Sequence, residues 1–412
     1  MKNLSLEGLR GVASLNVVIG HFLFMFFPYL ANDVRPVAGA VARYGFEDVI
    51  RFPPFTFLYL ADSAVLLFFT LSGYVLVRRF YLSPGFQDFG PAAVKRYIRL
   101  GLPVGVSVML SWMMLSLGAY DSGLPAQVGS AGWVTAVYPT SVSFIGAVFR
   151  ASIGAILYGR IDLNGPLWTI QVELIGSILL FACYALFGTR SKFFLVLWFL
   201  FLSLVLAGKG AGVLYYAAIL GGSFLHLFER QLRMIRWLPT ACLLLGLIGI
   251  SFSFAPVFAP LAAVPLPNLS PYGPDLRDAH ILFYHTIGAI LLVAGVIGSP
   301  RAAWFLTRPV FIHLGRLSFA IYLLHFPLLL VLTFHLAAFG QHLGMNYVSY
   351  AWISFVITMI VLFAFAELFY RFVDAPSIGL ANWLSDKLER GLRRHPPVRE
   401  SAGAEVQRAS VG

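Results

Sequence analysis

Charged residues are scarce in this sequence: they account for 11% of its 412 positions, whereas hydrophobic residues account for 59%. Soluble globular chains are about a quarter charged, so the composition excludes an ordinary soluble protein and indicates a chain that crosses a membrane several times. Cysteine is scarcer still. Cys183 and Cys242 stand far apart in apolar runs, which excludes a disulfide framework and a cysteine-based metal site. We therefore expect no bound metal.

Ten apolar runs are long enough, or nearly long enough, to span a bilayer, which takes about 20 residues. They lie at about 9–29, 57–77, 99–118, 166–187, 193–208, 211–228, 237–255, 281–298, 312–337 and 347–369. A further run at 141–158 is interrupted by Arg150. We interpret it as an interfacial helix, with an eleventh span as the alternative. The sequence therefore predicts an all-α polytopic membrane protein with about ten transmembrane helices.

Acidic residues are fewer than basic ones, and the formal net charge is +11. A nucleic-acid partner would explain such a charge, but its distribution gives a simpler reason. Ten spans put both termini on one side. If that side is the cytoplasm, 22 of the 29 Lys and Arg lie inside and 7 lie outside. This bias follows the positive-inside rule. We therefore predict cytoplasmic termini, basic loops that contact anionic lipids and no nucleic-acid partner.

The chain divides into a membrane domain and a tail. Residues 1–375 contain all ten apolar runs, and the sequence becomes polar and basic from residue 376. We predict that 376–412 is a cytoplasmic tail, partly disordered, whose start can form a short basic helix on the membrane surface.

The first apolar run contains two ionisable residues, Arg10 and His21. Eleven residues turn a helix by three turns plus about 20°, so both side chains lie on one face, roughly 16 Å apart along the axis. An ionisable residue at the depth of His21 faces a protein interior or a watery cavity and is a functional candidate. Its neutral imidazole is suited to act as a general base. The alternatives are a snorkelling anchor for Arg10 and an interhelical hydrogen bond for His21.

A second basic cluster precedes the third span. Arg96 and Arg99 are three residues apart, so on a helix they point to one side. Arginine guanidinium groups bind phosphate through paired hydrogen bonds. Together with Arg10, the two arginines could hold a phosphorylated carrier whose uncharged arm reaches His21. The alternative is a cluster that only sets the topology.

These residues also carry a family resemblance. The sequence resembles the membrane-bound acyltransferase family 3, integral-membrane O-acyltransferases of surface polysaccharides and related acceptors, from about residue 5 to residue 375. Five stretches match motifs of that family in order: "LEGLRGVASLNVVIGH", "LFFTLSGYVLVRRF", "KRYIRLGLPV", "PLWTIQVELIGSILLF" and "LGRLSFAIYLLHFPLLLV".

The sequence departs from that family at two positions. Leu66 stands where many members have Asp, and Leu174 stands where many have a second Glu. Glu173 alone is therefore carried over from the fourth-span motif. His325 lies in the ninth-span motif, either bonded between helices or lining the site.

The resemblance implies transfer of an acyl group, commonly acetyl from cytoplasmic acetyl-CoA, to a hydroxyl of an extracytoplasmic carbohydrate or lipid-linked glycan. Because bacterial members of the family commonly act on surface polysaccharides, we expect a bacterial inner membrane, with a fungal or animal membrane as the alternative. His21 would act as the base or form an acyl-histidine intermediate. Arg10, Arg96 and Arg99 would hold the phosphates of the donor. Glu173 would orient His21, stabilise its charge or contact the acceptor, or else form a structural pair with a neighbouring helix. We thus predict His21, Arg10 and Glu173 as catalytic residues.

Three other functions remain open at this point. A transporter or flippase for an anionic solute would use the same arginines and histidine as a permeation path, although the internal repeats common in transporters are not evident. An N-acyltransferase acting on an amino sugar would form an amide in place of an ester. A purely structural membrane protein would tolerate replacement of His21.

Overall fold

The computed structural model describes residues 3–34, 41–53, 55–82, 89–189, 192–193, 196–198, 200, 212–266 and 276–394. These residues form helices joined by turns and contain no strand, which confirms the all-α class. The ten long helices are α1 (Leu4–Phe26), α2 (Ala61–Leu82), α3 (Phe89–Ser116), α4 (Trp168–Phe187), α5 (Val213–Met234), α6 (Leu238–Ile250), α7 (Leu276–Gly298), α8 (Pro309–Leu328), α9 (Tyr347–Phe369) and α10 (Ala375–Arg394).

Shorter helical segments connect them. The short α-helices are Gly45–Arg51, Leu124–Gln127, Trp133–Ala136, Phe144–Phe149, Ala155–Leu157, Ala259–Ala262, Pro300–Leu306 and Phe334–His342. Four single turns are 3₁₀-helical: Pro28–Ala31, Phe55–Leu58, Gly165–Leu167 and Pro256–Phe258. Three segments are π-helical: Arg150–Gly154, Leu329–Thr333 and Tyr370–Asp374.

Within the described residues, seven helices are long and apolar enough to cross a membrane. The protein is therefore an integral membrane protein, and these helices coincide with seven of the ten predicted spans. They are Leu4–Phe26, Ala61–Arg78, Gly90–Ser116, Gly165–Phe187, Ala279–Gly298, Pro309–His342 and Tyr347–Gly391.

The other three predicted spans are not among these seven helices. The run at 193–208 lies mostly outside the described residues. The run at 211–228 forms α5, which is not among the seven because its second half carries charged residues. The run at 237–255 forms only the 13-residue α6. The count of ten and the cytoplasmic termini stay predictions.

The interrupted run before α4 forms one apolar helical stretch, Phe144–Leu157, which is too short to span a bilayer. Arg150 donates from Nε to Oδ2 of Asp162 at 2.8 Å, and Ile145 is 81% exposed. The short length and the exposed apolar surface favour the interfacial helix over an eleventh span.

The first span packs closely against α8, and two glycines allow this contact. A Cβ atom on Gly11 would lie 2.5 Å from the backbone nitrogen of Gly315, and one on Gly315 would lie 2.1 Å from the carbonyl oxygen of Glu7. The two backbones therefore touch, as small residues permit between membrane helices. This contact brings the helix that carries Arg10 and His21 against the helix that carries His325.

The C-terminal helix α10 packs along α3. It continues from α9 through the π-helical segment Tyr370–Asp374, so the polar region predicted from residue 376 begins as a helix. Residues 395–412 of the predicted tail lie outside the described residues. The division at residue 375 therefore stays a prediction.

Candidate active site

A cavity lined by four arginines lies between α1, α2, α3, α4, α8 and α10; we call it the arginine pocket. It holds about 950 Å³ of space between atoms, including the part open to solvent. Its basic residues are Arg10, Arg96, Arg99 and Arg316, and its acidic residues are Glu7, Glu173 and Asp374. All three predicted donor-binding arginines therefore face one cavity.

Arg96 is held in place by hydrogen bonds that it donates to side chains on two neighbouring helices, α2 and α4. It pairs with Oε1 of Glu173 on α4. It also donates from Nη2 to Oγ of Ser72 on α2 at 2.8 Å and from Nε to Oγ of Ser177 at 3.1 Å. Ser72 in turn donates to Oε1 of Glu173 at 3.1 Å. The charge of Arg96 is thus compensated within the protein, and its guanidinium plane is fixed.

Arg10 and Arg99 differ from Arg96. Across the described part of the chain, neither makes a hydrogen bond or an ion pair. Arg99 lies within electrostatic range of both Arg10 and Arg96, and of Asp374 and Glu173. Cations that lie close together in a partly buried pocket repel one another, and a bound anion relieves that repulsion. The pocket is therefore suited to bind an anionic group such as phosphate.

The pocket also has an apolar section, which is lined by Phe68, Leu100 and Phe319, so an uncharged arm could lie there. Tyr322 lines the pocket as well. It donates to the carbonyl oxygen of Pro166 at 2.8 Å, and its hydroxyl also bonds the hydroxyl of Thr169 at 2.6 Å. His325 begins the next turn of α8.

A pair of histidines lies next to Tyr322, whose ring centroid is 5.7 Å from that of His325, although neither histidine lines the pocket. Nε2 of His325 is 3.3 Å from Nδ1 of His21, and the two ring centroids are 5.1 Å apart. Phe326 packs edge-on against His21 at 5.2 Å. His325 is fully buried, whereas His21 is partly exposed. The pair can exchange or orient protons, and His21 is the member that a ligand can reach.

A proline fixes the helix that carries His325. Pro327 has no N–H group, so it cannot donate to the carbonyl of Leu323 four residues earlier. That carbonyl accepts instead from Oγ of Ser107 on α3 and from Nδ2 of Asn164, both at 2.9 Å. The oxygen that the proline leaves unpaired thus ties α8 to α3 and to the loop before α4.

The structure brings the predicted residues together in two groups. Arg10, Arg96, Arg99 and Glu173 lie in the arginine pocket, and His21 lies in the histidine pair. Arg316 and Asp374 also line the pocket, although they were not among the predicted site residues, because their place there depends on how the helices pack. Within the described residues, no group of three or more His, Cys, Asp or Glu side chains is arranged to hold a metal ion.

A comparison with protein families favours acyl transfer over the transport and purely structural functions that the sequence left open. The model of the acyltransferase domain, family 3, matches residues 3–367. The chain belongs to this acyltransferase family. The match includes His21, His325 and all four pocket arginines, whereas Asp374 and α10 lie beyond it.

Three curated proteins are similar to this acyltransferase over most of its length. Acyltransferase R4 of Phoma sp. is 24% identical over 90% of this chain and 93% of its own. Acyltransferase clz18 of Cochliobolus lunatus is 25% identical with the same coverage. O-acetyltransferase PaAT-1 of Phomopsis amygdali is 21% identical over 93% of this chain and 85% of its own. No solved structure gives a significant match.

Proposed function

We propose that the protein transfers an acyl group, most simply acetyl, from cytoplasmic acyl-CoA to a hydroxyl group of an extracytoplasmic carbohydrate or lipid-linked glycan. One observation carries the proposal: a pocket that holds two arginines without a hydrogen bond or ion pair to a described residue is lined by Tyr322, whose ring centroid lies 5.7 Å from that of His325 in the histidine pair. Membership of an acyltransferase family favours this reading over a transporter of anionic solutes.

The phosphates of acyl-CoA bind at Arg10 and Arg99 in this proposal. These guanidinium groups have hydrogen-bond donors to offer, whereas those of Arg96 are already engaged by Glu173 and two serines. Arg96 contributes its charge and shapes one wall. The uncharged arm of the donor follows the apolar section toward His21, which lies roughly 16 Å from Arg10 along α1.

His21 then acts as the general base. As the acceptor O–H bond breaks, a new N–H bond forms on His21, and the oxygen lone pair forms a C–O bond with the thioester carbonyl carbon. The C–S bond breaks, and CoA leaves as a thiolate that takes the proton from the imidazolium. In the variant with an acyl-histidine intermediate, the imidazole nitrogen bonds the thioester carbonyl carbon as the C–S bond breaks and CoA leaves as a thiolate. The acceptor oxygen then bonds the same carbon, the N–C bond to the imidazole breaks, and the hydroxyl proton passes to the thiolate.

For Glu173 we propose the alternative of a structural pair with a neighbouring helix. Its contacts are with Arg96 and Ser72, so we propose that it positions Arg96 at the donor pocket. A direct effect of Glu173 on His21 is not part of the proposal.

The names and source organisms of the three relatives give information about the acceptor group and about the type of membrane. One of them is named an O-acetyltransferase, which supports a hydroxyl acceptor and an ester product. The three relatives are fungal, so they give no support to the bacterial inner membrane that the sequence predicted. Our proposal therefore requires a membrane whose inner face meets acyl-CoA, in either kind of cell.

Product chemistry tests the proposal. We would incubate the purified protein with acyl-labelled acetyl-CoA and extracted membrane glycans and follow labelled product and released CoA. The expected product loses its label in mild base, as esters do, and His21→Ala abolishes it while the exposed-arginine variant Arg301→Gln does not. A base-stable product would show N-acyl transfer. Absence of labelled product and of CoA release with acetyl-CoA and with longer acyl-CoAs would overturn the proposal.

A further inference from the structure

The histidine pair joins α1 and α8 through a defined chain of hydrogen-bond partners. Nδ1 of His325 lies 2.7 Å from the carbonyl oxygen of Tyr322, and Nδ1 of His21 lies 2.8 Å from the carbonyl oxygen of Val17. Between the rings, Nε2 of His325 faces Nδ1 of His21 at 3.3 Å. Each contact constrains which nitrogen carries a proton.

A carbonyl oxygen only accepts hydrogen bonds, so the nitrogen that faces it must donate. Nδ1 of His325 therefore carries the proton of that ring, and its Nε2 carries the lone pair. Nδ1 of His21 likewise carries a proton, which it shares between the carbonyl of Val17 and Nε2 of His325. In this arrangement the lone pair of His21 is on Nε2.

We propose that His325 is a positioning residue that accepts the Nδ1–H of His21 and so holds His21 in the tautomer whose Nε2 is basic. This inference rests on the proposed function, since it assigns a role to His325 in that reaction. A partner on one ring nitrogen commonly sets the tautomer and orientation of a functional histidine.

The proton balance of the transfer step agrees with this role. When Nε2 of His21 takes the acceptor proton, the ring becomes an imidazolium with a proton on each nitrogen. Its Nδ1–H still points at the lone pair of His325, so the positive charge forms beside a hydrogen-bond acceptor in a buried site. His325 neither gains nor loses a proton in this step.

The surroundings of His325 favour a fixed position over a mobile one. The ring is fully buried. Its helix is tied to α3 and to the loop before α4 through the Leu323 carbonyl that Pro327 leaves without an intrahelical donor. A ring held in this way can impose an orientation on the partly exposed His21.

Two substitutions of His325 test the role kinetically. His325→Phe keeps an aromatic side chain but removes the hydrogen-bond acceptor Nε2. His325→Gln instead offers an amide oxygen as an acceptor near the position of Nε2. We expect kcat to fall about tenfold to a hundredfold in His325→Phe, the usual cost of losing an orienting partner, with KM for acyl-CoA unchanged. His325→Gln should recover part of kcat. The control is His285→Phe, because His285 is equally buried and bonds Phe252 outside the site.

A spectroscopic measurement separates this inference from the proposed function. Nitrogen-15 NMR of histidine-labelled protein shows which ring nitrogen of His21 is protonated, and His21→Phe assigns the signal. We expect a proton on Nδ1 in the wild type. A proton on Nε2 of neutral His21, or a full kcat in His325→Phe at equal folded yield, would overturn the inference. Loss of the proposed function would instead appear as a wild type without acyl transfer, whatever the NMR result.

Discussion

Arg96 and Arg99 belong to one Arg-x-x-Arg motif, yet their environments differ. Arg96 is paired with Glu173 and bonded to two serines, whereas Arg99 makes no ion pair or hydrogen bond with any described residue. Arg96 forms part of the wall of the pocket. Arg99, together with Arg10, can bind an anion, so substitutions of Arg96 and Arg99 should have different effects.

We predict that Arg99→Gln weakens donor binding with little effect on kcat at saturating donor. A hydrogen bond to a charged group contributes about 1.5–3 kcal/mol, so the Kd for acetyl-CoA should rise about tenfold to a hundredfold. Equilibrium binding of labelled acetyl-CoA measures this change. Arg301→Gln, an exposed arginine outside the pocket, is the control. An unchanged Kd in Arg99→Gln would remove Arg99 from the donor site.

The pair of Arg96 and Glu173 should matter for stability. Removing one partner leaves a poorly solvated charge, which costs about 3–5 kcal/mol in a buried pair. We expect the lower end of this range because the Glu173 side chain is 18% exposed. Glu173→Met should therefore lower the unfolding temperature in detergent. The double variant Arg96→Met with Glu173→Met should be less destabilised than either single variant. Additive losses would show that the two side chains do not interact.

At the scale of whole helices, the contact of α1 with α8 sets the distance between the two histidines. Gly11→Ala would place a methyl group 2.5 Å from the backbone nitrogen of Gly315, so the helices must separate. We expect a loss of about 1–3 kcal/mol in stability, as for other overpacked sites, and a lower kcat at equal folded yield.

Gly391→Ala provides the matched control for that prediction. A Cβ atom there meets nothing within 4 Å, and alanine is the better helix former. Its activity and unfolding temperature should equal or exceed those of the wild type. A Gly11→Ala protein as stable and active as Gly391→Ala would show that the close contact is not needed.

The helices could be predicted from the sequence more fully than the site. Long apolar runs gave the seven spanning helices because burial in lipid requires about 20 apolar residues. The run at 237–255 forms a helix of only 13 residues because the chain turns after Ile250. The backbone N–H of Phe254 then bonds the carbonyl of Asp33 at 2.8 Å. Such a partner is distant in sequence and leaves no local signal.

Contacts between residues distant in sequence also limit how much of the candidate site could be predicted from the sequence. The spacing of Arg96 and Arg99 predicted one shared face, because that geometry lies within a single helix, and both do line the pocket. The pairing of Arg96 with Glu173 joins residues 77 apart, and the pairing of His21 with His325 joins residues 304 apart. Both depend on how helices pack, which helical periodicity does not determine.

For the whole molecule, binding of cytoplasmic acyl-CoA requires that the arginine pocket opens to the cytoplasm. If ten spans place both termini in the cytoplasm, 22 of the 29 Lys and Arg lie inside, and this predicted bias favours that orientation. Acyl-CoA is highly charged and does not cross a sealed bilayer. Inside-out vesicles should therefore consume externally added acetyl-CoA, whereas right-side-out vesicles should do so only after permeabilisation. Equal consumption by intact vesicles of both orientations would contradict the predicted topology.

One measurement tests most directly the claim that the arginine pocket binds the donor and His21 performs the transfer. We would determine the Kd for acetyl-CoA and the rate of thioester consumption for the wild type, His21→Ala and Arg10→Gln at equal folded yield. The control is His335→Ala, because His335 is exposed and bonds the carbonyl of Val331 four residues earlier, as His21 bonds that of Val17.

We expect His21→Ala to bind acetyl-CoA with wild-type affinity and to consume almost none of it. The reason is that a general base raises the reaction rate by about 10²–10⁴-fold. Arg10→Gln should bind weakly, and His335→Ala should match the wild type. If His21→Ala consumes the thioester at the wild-type rate, or if Arg10→Gln binds the donor with unchanged affinity, the account is contradicted.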